Sequence, residues 1–150
     1  MKYVTFCQYK NNINIYETLG NFFPPSDKTF FLLNSYFGQL SISKVDDDFD
    51  FTTTVPYEAV SDYFLFDTKG KAHGGNGVKF NWALLKQYNG SKPLFLSGGI
   101  DLEDLPIIAK LNLLPLNLYA LDVNSKFELE PALKDVLKVK QLKVGLHHCN

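Results

Sequence analysis

Asp67 closes the run Asp62-Tyr63-Phe64-Leu65-Phe66-Asp67-Thr68, and a glycine-rich stretch, Lys69-Gly70-Lys71-Ala72-His73-Gly74-Gly75-Asn76-Gly77, follows at once. A carboxyl delivered at the end of an apolar strand is partly desolvated. Burial disfavours its charged form, so such an acid can donate a proton near neutral pH. The residue reads equally well as a structural aspartate capping its own loop. Two further stretches suit an anion, Gly98-Gly99 and Asn124-Ser125. Small residues after neighbouring strands let backbone N–H groups approach a phosphate, although a lone Gly-Gly is by itself an ordinary turn. His73 has no nucleophile or ligand cluster to pair with and reads as exposed. Metal-ligand spacing is absent, and the consecutive Asp46-Asp47-Asp48 lacks the alternation of a calcium loop, so it reads as a solvated capping segment.

The elements that must position these residues follow from pattern. Residues 62–68 and 93–97 are short apolar runs ending in turn residues, as expected of buried parallel strands, and residues 118–123 form a third. Between them, residues 80–88 read as a helix ended by Asn89-Gly90. Asp101 caps a helix carrying Leu102, Leu105, Ile107, Ile108 and Leu111 on apolar spacing, with Glu103 and Asp104 in its first turn. Pro131 opens a last helix over 132–142, with Leu133, Val136, Leu137 and Val139 facing inward. Strands alternating with helices at this interval predict an α/β fold with a parallel sheet, whose carboxyl edge carries the chemistry. Upstream, residues 49–60 read as a short helix interrupted by Pro56, starting after the acidic turn. Residues 38–43, 29–33 and 3–8 read as strands, residues 13–19 as a short helix, and Pro24-Pro25-Ser26-Asp27 as a loop.

Composition bounds the rest. The chain has 150 residues, 45% hydrophobic and 21% charged, with a formal net charge of −1, which suits one domain able to bury a core. Nothing is basic enough to predict nucleic-acid binding. Neither a membrane-length apolar run nor a signal-peptide pattern is present, which predicts a cytoplasmic protein with no membrane partner. Cys7 and Cys149 make no disulfide framework, and residues 144–150 read as a tail. All 15 basic residues are lysines. A bidentate guanidinium clamp is therefore excluded, and anions must be held by lysine, backbone N–H groups or helix N-termini.

Four ordered motifs carry a resemblance. Phe64-Leu65-Phe66-Asp67-Thr68, then Gly74-Gly75-Asn76-Gly77 with Phe80-Asn81-Trp82, then Phe95-Leu96-Ser97-Gly98-Gly99-Ile100, then Leu121-Asp122-Val123-Asn124-Ser125-Lys126-Phe127-Glu128 stand in the order and spacing of the second half of phosphoribosylanthranilate isomerase. The chain resembles that family over about residues 40–143. The resemblance implies roughly the last four units of a TIM (β/α)8 barrel, incomplete or shortened here, since such barrels take at least about 200 residues. Residues 1–39 form an uncertain N-terminal segment of the same single domain.

What the resemblance implies about function is specific. The reaction is an Amadori rearrangement of N-(5-phosphoribosyl)anthranilate in tryptophan biosynthesis, run by general acid and base without a cofactor. Asp67 matches the acid that protonates the furanose ring oxygen. Gly98, Gly99, Asn124 and Ser125 match the phosphate loops, and Gly74, Gly75 and Gly77 match a loop covering the substrate. Asp122 matches a motif position that orients substrate or bonds a neighbouring backbone. Met1-Lys2-Tyr3-Val4-Thr5-Phe6-Cys7 looks like the family's first strand and puts Cys7 at the base's position, although Gln8 follows where the family has glycine. A rival alignment makes residues 3–19 the fourth strand and helix and leaves no base. Cys7 is then a small buried hydrophobe. The family's arginine near the anthranilate carboxylate is absent. A chain this short is a truncated product, a shrunken enzyme, or a partial barrel completed by self-association or a second chain. The competing function is a catalytically silent phosphate-binding domain.

Overall fold

A computed structural model describes residues 4–8, 15–18, 31–34, 38–69, 79–130 and 133–147, with side chains for 39–69, 79–130 and 133–146. The centre is a run of four parallel strands, β4 (Gly38–Val45), β5 (Tyr63–Thr68), β6 (Leu94–Leu96) and β7 (Leu118–Val123). Their sequence neighbours are also their spatial neighbours. Three further strands, β1 (Val4–Gln8), β2 (Ile15–Thr18) and β3 (Phe31–Asn34), flank this core in the order β2-β1-β7-β6-β5-β4-β3. Both flanks run antiparallel, β3 along β4 and β1 along β7. Among the described residues the sheet does not close on itself.

The two faces of the sheet differ. On one, Phe64, Phe66, Leu94, Leu96, Leu121 and Val123 pack under α1 (Leu105–Asn112) and α2 (Val136–His147) with Trp82, Leu85, Ile108, Leu142 and Leu146, and this is the main core. On the other, Leu65, Phe95 and Ala120 form a smaller cluster with Leu40, Ile42, Tyr63 and Tyr119. Period-two alternation assigns these sets to opposite sides, with one interruption. Leu94 pairs with Leu118 but Phe95 pairs with Ala120, so β7 carries one extra residue, Tyr119, at a bulge. The rings of Tyr63, Phe95 and Tyr119 meet there with centroids 5.1 to 5.5 Å apart.

Several local expectations are corrected. Residues 49–60 make a 3-10 helix, Phe51–Tyr57, because three consecutive threonines and Pro56 disfavour a continued α-helix, and Asp50 rather than the acidic turn caps it. Residues 82–87 are likewise a 3-10 helix, capped by Asn81. Asp101 does open a helical segment, through a capping box with Asp104, and a 3-10 turn leads into α1, where Ile108 and Leu111 are buried and Ile107 is half exposed. The last helix starts not at Pro131 but at Val136. Asp135 accepts hydrogen bonds from Leu137 N (3.0 Å) and Lys138 N (3.1 Å), a cap that a proline side chain cannot supply. The preceding residues form a hairpin, β8 (Glu128–Glu130) with β9 (Leu133–Lys134). Val139, Leu142 and Leu146 face the core, whereas Val136, Leu137 and Leu133 are exposed. α2 runs through His147, into the span expected as a tail, and residues 148–150, Cys149 among them, lie outside the described residues. Residues 15–18, expected to be helical, are β2.

Candidate active site

The carboxyl edge of the parallel strands gathers the polar residues. Counting by twos along the smaller-cluster face, Ile42 leads to Lys44, Leu65 to Asp67, Phe95 to Ser97 and Ala120 to Asp122. Lys44 and Asp67 are register partners and form an ion pair. Ser97 N donates to Phe66 O (2.9 Å), which continues the β5–β6 ladder one step past Leu96 and fixes the serine at Asp67's level. Its hydroxyl donates to Asp122 Oδ2 at 2.9 Å. Lys44, Asp67, Ser97 and Asp122 therefore form one row above an apolar floor.

Asp122 is 7% exposed. Burial raises its carboxyl from the ordinary 3.8 to about 7; the Ser97 hydrogen bond opposes this, Asp67's charge adds to it, and Lys134 and Asn124 pull back. Asn124 Nδ2 donates to the other oxygen, Oδ1, at 3.1 Å. Both carboxylate oxygens are thus held, one from β6 and one from the turn after β7. A carboxyl poised near 7 can give or take a proton at physiological pH.

The loop after β6 is shaped by two glycines in left-handed backbone, Gly98 at φ 99° and Gly99 at φ 67°. A Cβ on Gly98 would stand 2.2 Å from Thr68 Oγ1 and 2.8 Å from Thr68 N, so only glycine fits against the end of β5. Thr68 Oγ1 in turn accepts from Phe80 N at 3.4 Å. After β7, Asn124 and Ser125 lead into a 3-10 turn, Ser125–Phe127, anchored by buried Phe127. The two loops expected to take an anion thus follow adjacent strands, β6 and β7.

Residues 28–143 match the family model of N-(5'phosphoribosyl)anthranilate (PRA) isomerase. The chain belongs to the PRA isomerase family. Among its relatives, N-(5'-phosphoribosyl)anthranilate isomerase of Parabacteroides distasonis is 45% identical over 91 residues, 61% of this chain and 40% of that protein. The Phocaeicola vulgatus isomerase is 39% identical over 98 residues, covering 65% and 47%. The tryptophan biosynthesis protein TrpCF of Helicobacter pylori is 41% identical over 78 residues, 52% of this chain and 16% of that protein. This chain therefore spans less than half the length of the isomerase relatives. A crystal structure of the Thermus thermophilus isomerase superposes with a TM-score of 0.58 at 21% identity, covering 74% of this chain and 50% of that one. PRA isomerases are TIM-barrel enzymes of tryptophan biosynthesis, and the parallel run β4–β7 is the part of that fold seen here.

Of the residues singled out by sequence, Asp67, Asp122, Gly98, Gly99, Asn124 and Ser125 come to one edge of the sheet. Gly74, Gly75 and Gly77 lie outside the described residues. Cys7 does not join the row by register: β1 is antiparallel to β7, Cys7 pairs with Leu121, and Phe6 is the residue across from Asp122. A first barrel strand would run parallel to its neighbours, so β1 does not occupy that role in this sheet. Three members of the site were not picked out from sequence. Ser97 and Lys44 follow from period-two counting from Phe95 and Ile42. Lys134 reaches the site from β9, and no local pattern announces it.

Proposed function

We propose that this chain performs the isomerisation of its family, rearranging N-(5-phosphoribosyl)anthranilate to the 1-deoxyribulose 5-phosphate product. The observation that carries the reading is the pair of carboxyls, Asp67 and Asp122, in one row beside the glycine-shaped loop at 98–99. Asp67 protonates the furanose ring oxygen, and the C1′–O bond breaks to leave an iminium. A base removes the C2′ proton, giving an enamine whose tautomer is the ketone. One proton is added and one removed, so the substrate is isomerised with no external oxidant or reductant and no cofactor. The phosphate is held by backbone N–H groups at Gly98, Gly99 and Ser125, with Asn124 beside them, and the resemblance gives the 74–77 glycines the role of covering the substrate. The resemblance puts the base at Cys7, which does not join the row by register; within the row, Asp122, raised to about 7, is the group best suited to accept the proton. As a biosynthetic enzyme acting on a small phosphorylated substrate, the chain works in the cytoplasm as one domain.

A second reading is favoured by a sheet that, among the described residues, does not close and ends at β2 and β3, and by the coverage of less than half of the relatives. In it the phosphate loops bind an anion without turnover, and a second copy or another chain pairs with the edges of the sheet.

The test is loss of anthranilate-substrate fluorescence with purified chain, beside Asp67→Asn and Cys7→Ala, together with its solution mass. Turnover abolished by Asp67→Asn supports the first reading; loss in Cys7→Ala puts the base at Cys7, and survival in Cys7→Ala puts it in the row. No turnover, with phosphate still bound, favours the second.

A further inference from the structure

Lys134 takes no part in the chemistry above, yet it is built into the site. Its side chain is only 10% exposed, and its ammonium donates to Val123 O (3.0 Å), Asn124 Oδ1 (3.2 Å) and Glu128 Oε1 (2.8 Å). A lysine has three N–H donors and no acceptor, so this set is complete. With every donor committed, the ammonium positions its neighbours rather than binding a ligand.

What it positions follows from donor and acceptor logic. Asn124 lies between Lys134, which can only donate, and the Asp122 carboxylate, which when ionised can only accept. One orientation of the amide satisfies both, with Oδ1 toward the lysine and Nδ2 toward Asp122. Removing the ammonium frees the amide to turn. The bond to Val123 O also fixes the last carbonyl of β7, from which the 124–125 loop departs. A chain of contacts thus runs Glu128, Lys134, Asn124, Asp122, Ser97, from the β8–β9 hairpin to the end of β6.

We propose that Lys134 is a positioning residue of this site, which through Asn124 sets the orientation of the Asp122 carboxylate and the shape of the anion loop at 124–125. Among the described residues, the charges that bear most on Asp122 are Asp67 on β5, itself paired with Lys44 on β4, and Lys134 on β9, itself paired with Glu128 on β8. The proposal rests on the isomerase reading only for what the site does in turnover, and its test does not depend on that reading.

The measurement is the proton titration of the Asp122 carboxyl by carbon-detected NMR in the full chain, with binding of inorganic phosphate alongside. Lys134→Met is expected to move the Asp122 midpoint upward by about half a unit or more, because a nearby cation and an oriented donor are lost. It also weakens phosphate binding roughly tenfold, the effect of losing a charged hydrogen bond behind the loop. Lys134→Arg retains charge and donors and leaves both readings near those of the parent. Glu128→Gln acts with the opposite sign: the lysine loses its counter-charge, its field at Asp122 grows, and the midpoint falls. A folded Lys134→Met chain whose Asp122 titrates as in the parent overturns the proposal. If Lys134→Met does not fold, an Asp122 midpoint unmoved or raised in Glu128→Gln overturns it, and a fall supports it. Absence of turnover in the parent chain would sink the isomerase reading and leave these titrations intact.

Discussion

Ser97 and Asp122, 25 residues apart in sequence, meet through a 2.9 Å hydrogen bond that joins the ends of β6 and β7 inside the buried edge of the sheet. The bond favours the ionised carboxylate against a burial that disfavours it. Ser97→Ala is therefore expected to raise the Asp122 midpoint above about 7. Its stability cost should be larger at pH 8 than at pH 5, since the bond matters most to the ionised form. Chemical denaturation at the two pH values checks the asymmetry.

The raised carboxyl also gives the whole fold a pH dependence. Below about 3.8 Asp122 is protonated both folded and unfolded; between about 3.8 and about 7 the unfolded chain ionises while the folded chain holds its proton. Folding then binds the extra proton, so this group's contribution to stability falls as pH rises through that window, by roughly 1.4 kcal/mol per unit, and levels off above it. Asp122→Asn removes the slope. Urea midpoints from pH 4 to pH 8 for both chains would reveal it.

Gly98→Ala forces a side chain onto backbone at φ 99° and drives a Cβ to 2.8 Å from Thr68 N. The strain alone is about 1–3 kcal/mol, and the clash with strand backbone adds to it. Thermal unfolding should show the loss. Phosphate affinity should fall with it if the loop is the anion site.

Asp104 is buried, accepts from Asp101 N at 2.6 Å and pairs with Lys79 Nζ at 2.6 Å. Asp104→Ala uncaps the entry to α1 and strands the partly exposed lysine, a loss of roughly 2 kcal/mol. Because Asp104 lies outside the row at the sheet edge, under the isomerase reading turnover per folded molecule should be unchanged, which activity normalised to folded fraction would check.

Asp67→Asn keeps the shape of the residue but removes the transferable proton. Under the isomerase reading kcat should drop by roughly a hundredfold or more. Phosphate binding should remain within twofold, and a comparable loss of phosphate binding would count against a purely chemical role for Asp67.

The central sheet was legible because β5, β6 and β7 are buried apolar runs closed by glycine or asparagine, and those signals are local. The residues at their ends, Asp67, Gly98, Gly99, Asp122, Asn124 and Ser125, inherited their positions from the same runs. The N-terminal strands were harder. β2 carries Ile15-Tyr16-Glu17-Thr18 in a polar neighbourhood where a four-residue strand and a turn of helix look alike. The start of α2 was misplaced because Pro131 is a plausible first-turn residue, while the actual cap, Asp135, gains its advantage from a hairpin held by Lys134. That hairpin is a tertiary fact, with Asp135 N donating to Phe127 O at 2.9 Å. Helical spacing at 82–87 was real, but a six-residue span between Asn81 and Tyr88 closed as 3-10 turns.

The extra residue at Tyr119 gives β7 one residue of slack just before Asp122. A single deletion among positions 118–121 can be absorbed by dissolving the bulge, leaving Asp122 on its own side of the sheet. A single insertion there has nothing to dissolve and turns the aspartate toward the helices. Length changes in this strand should therefore be asymmetric in their effect, shortening tolerated and lengthening not, which an insertion and deletion scan of the four positions would make visible.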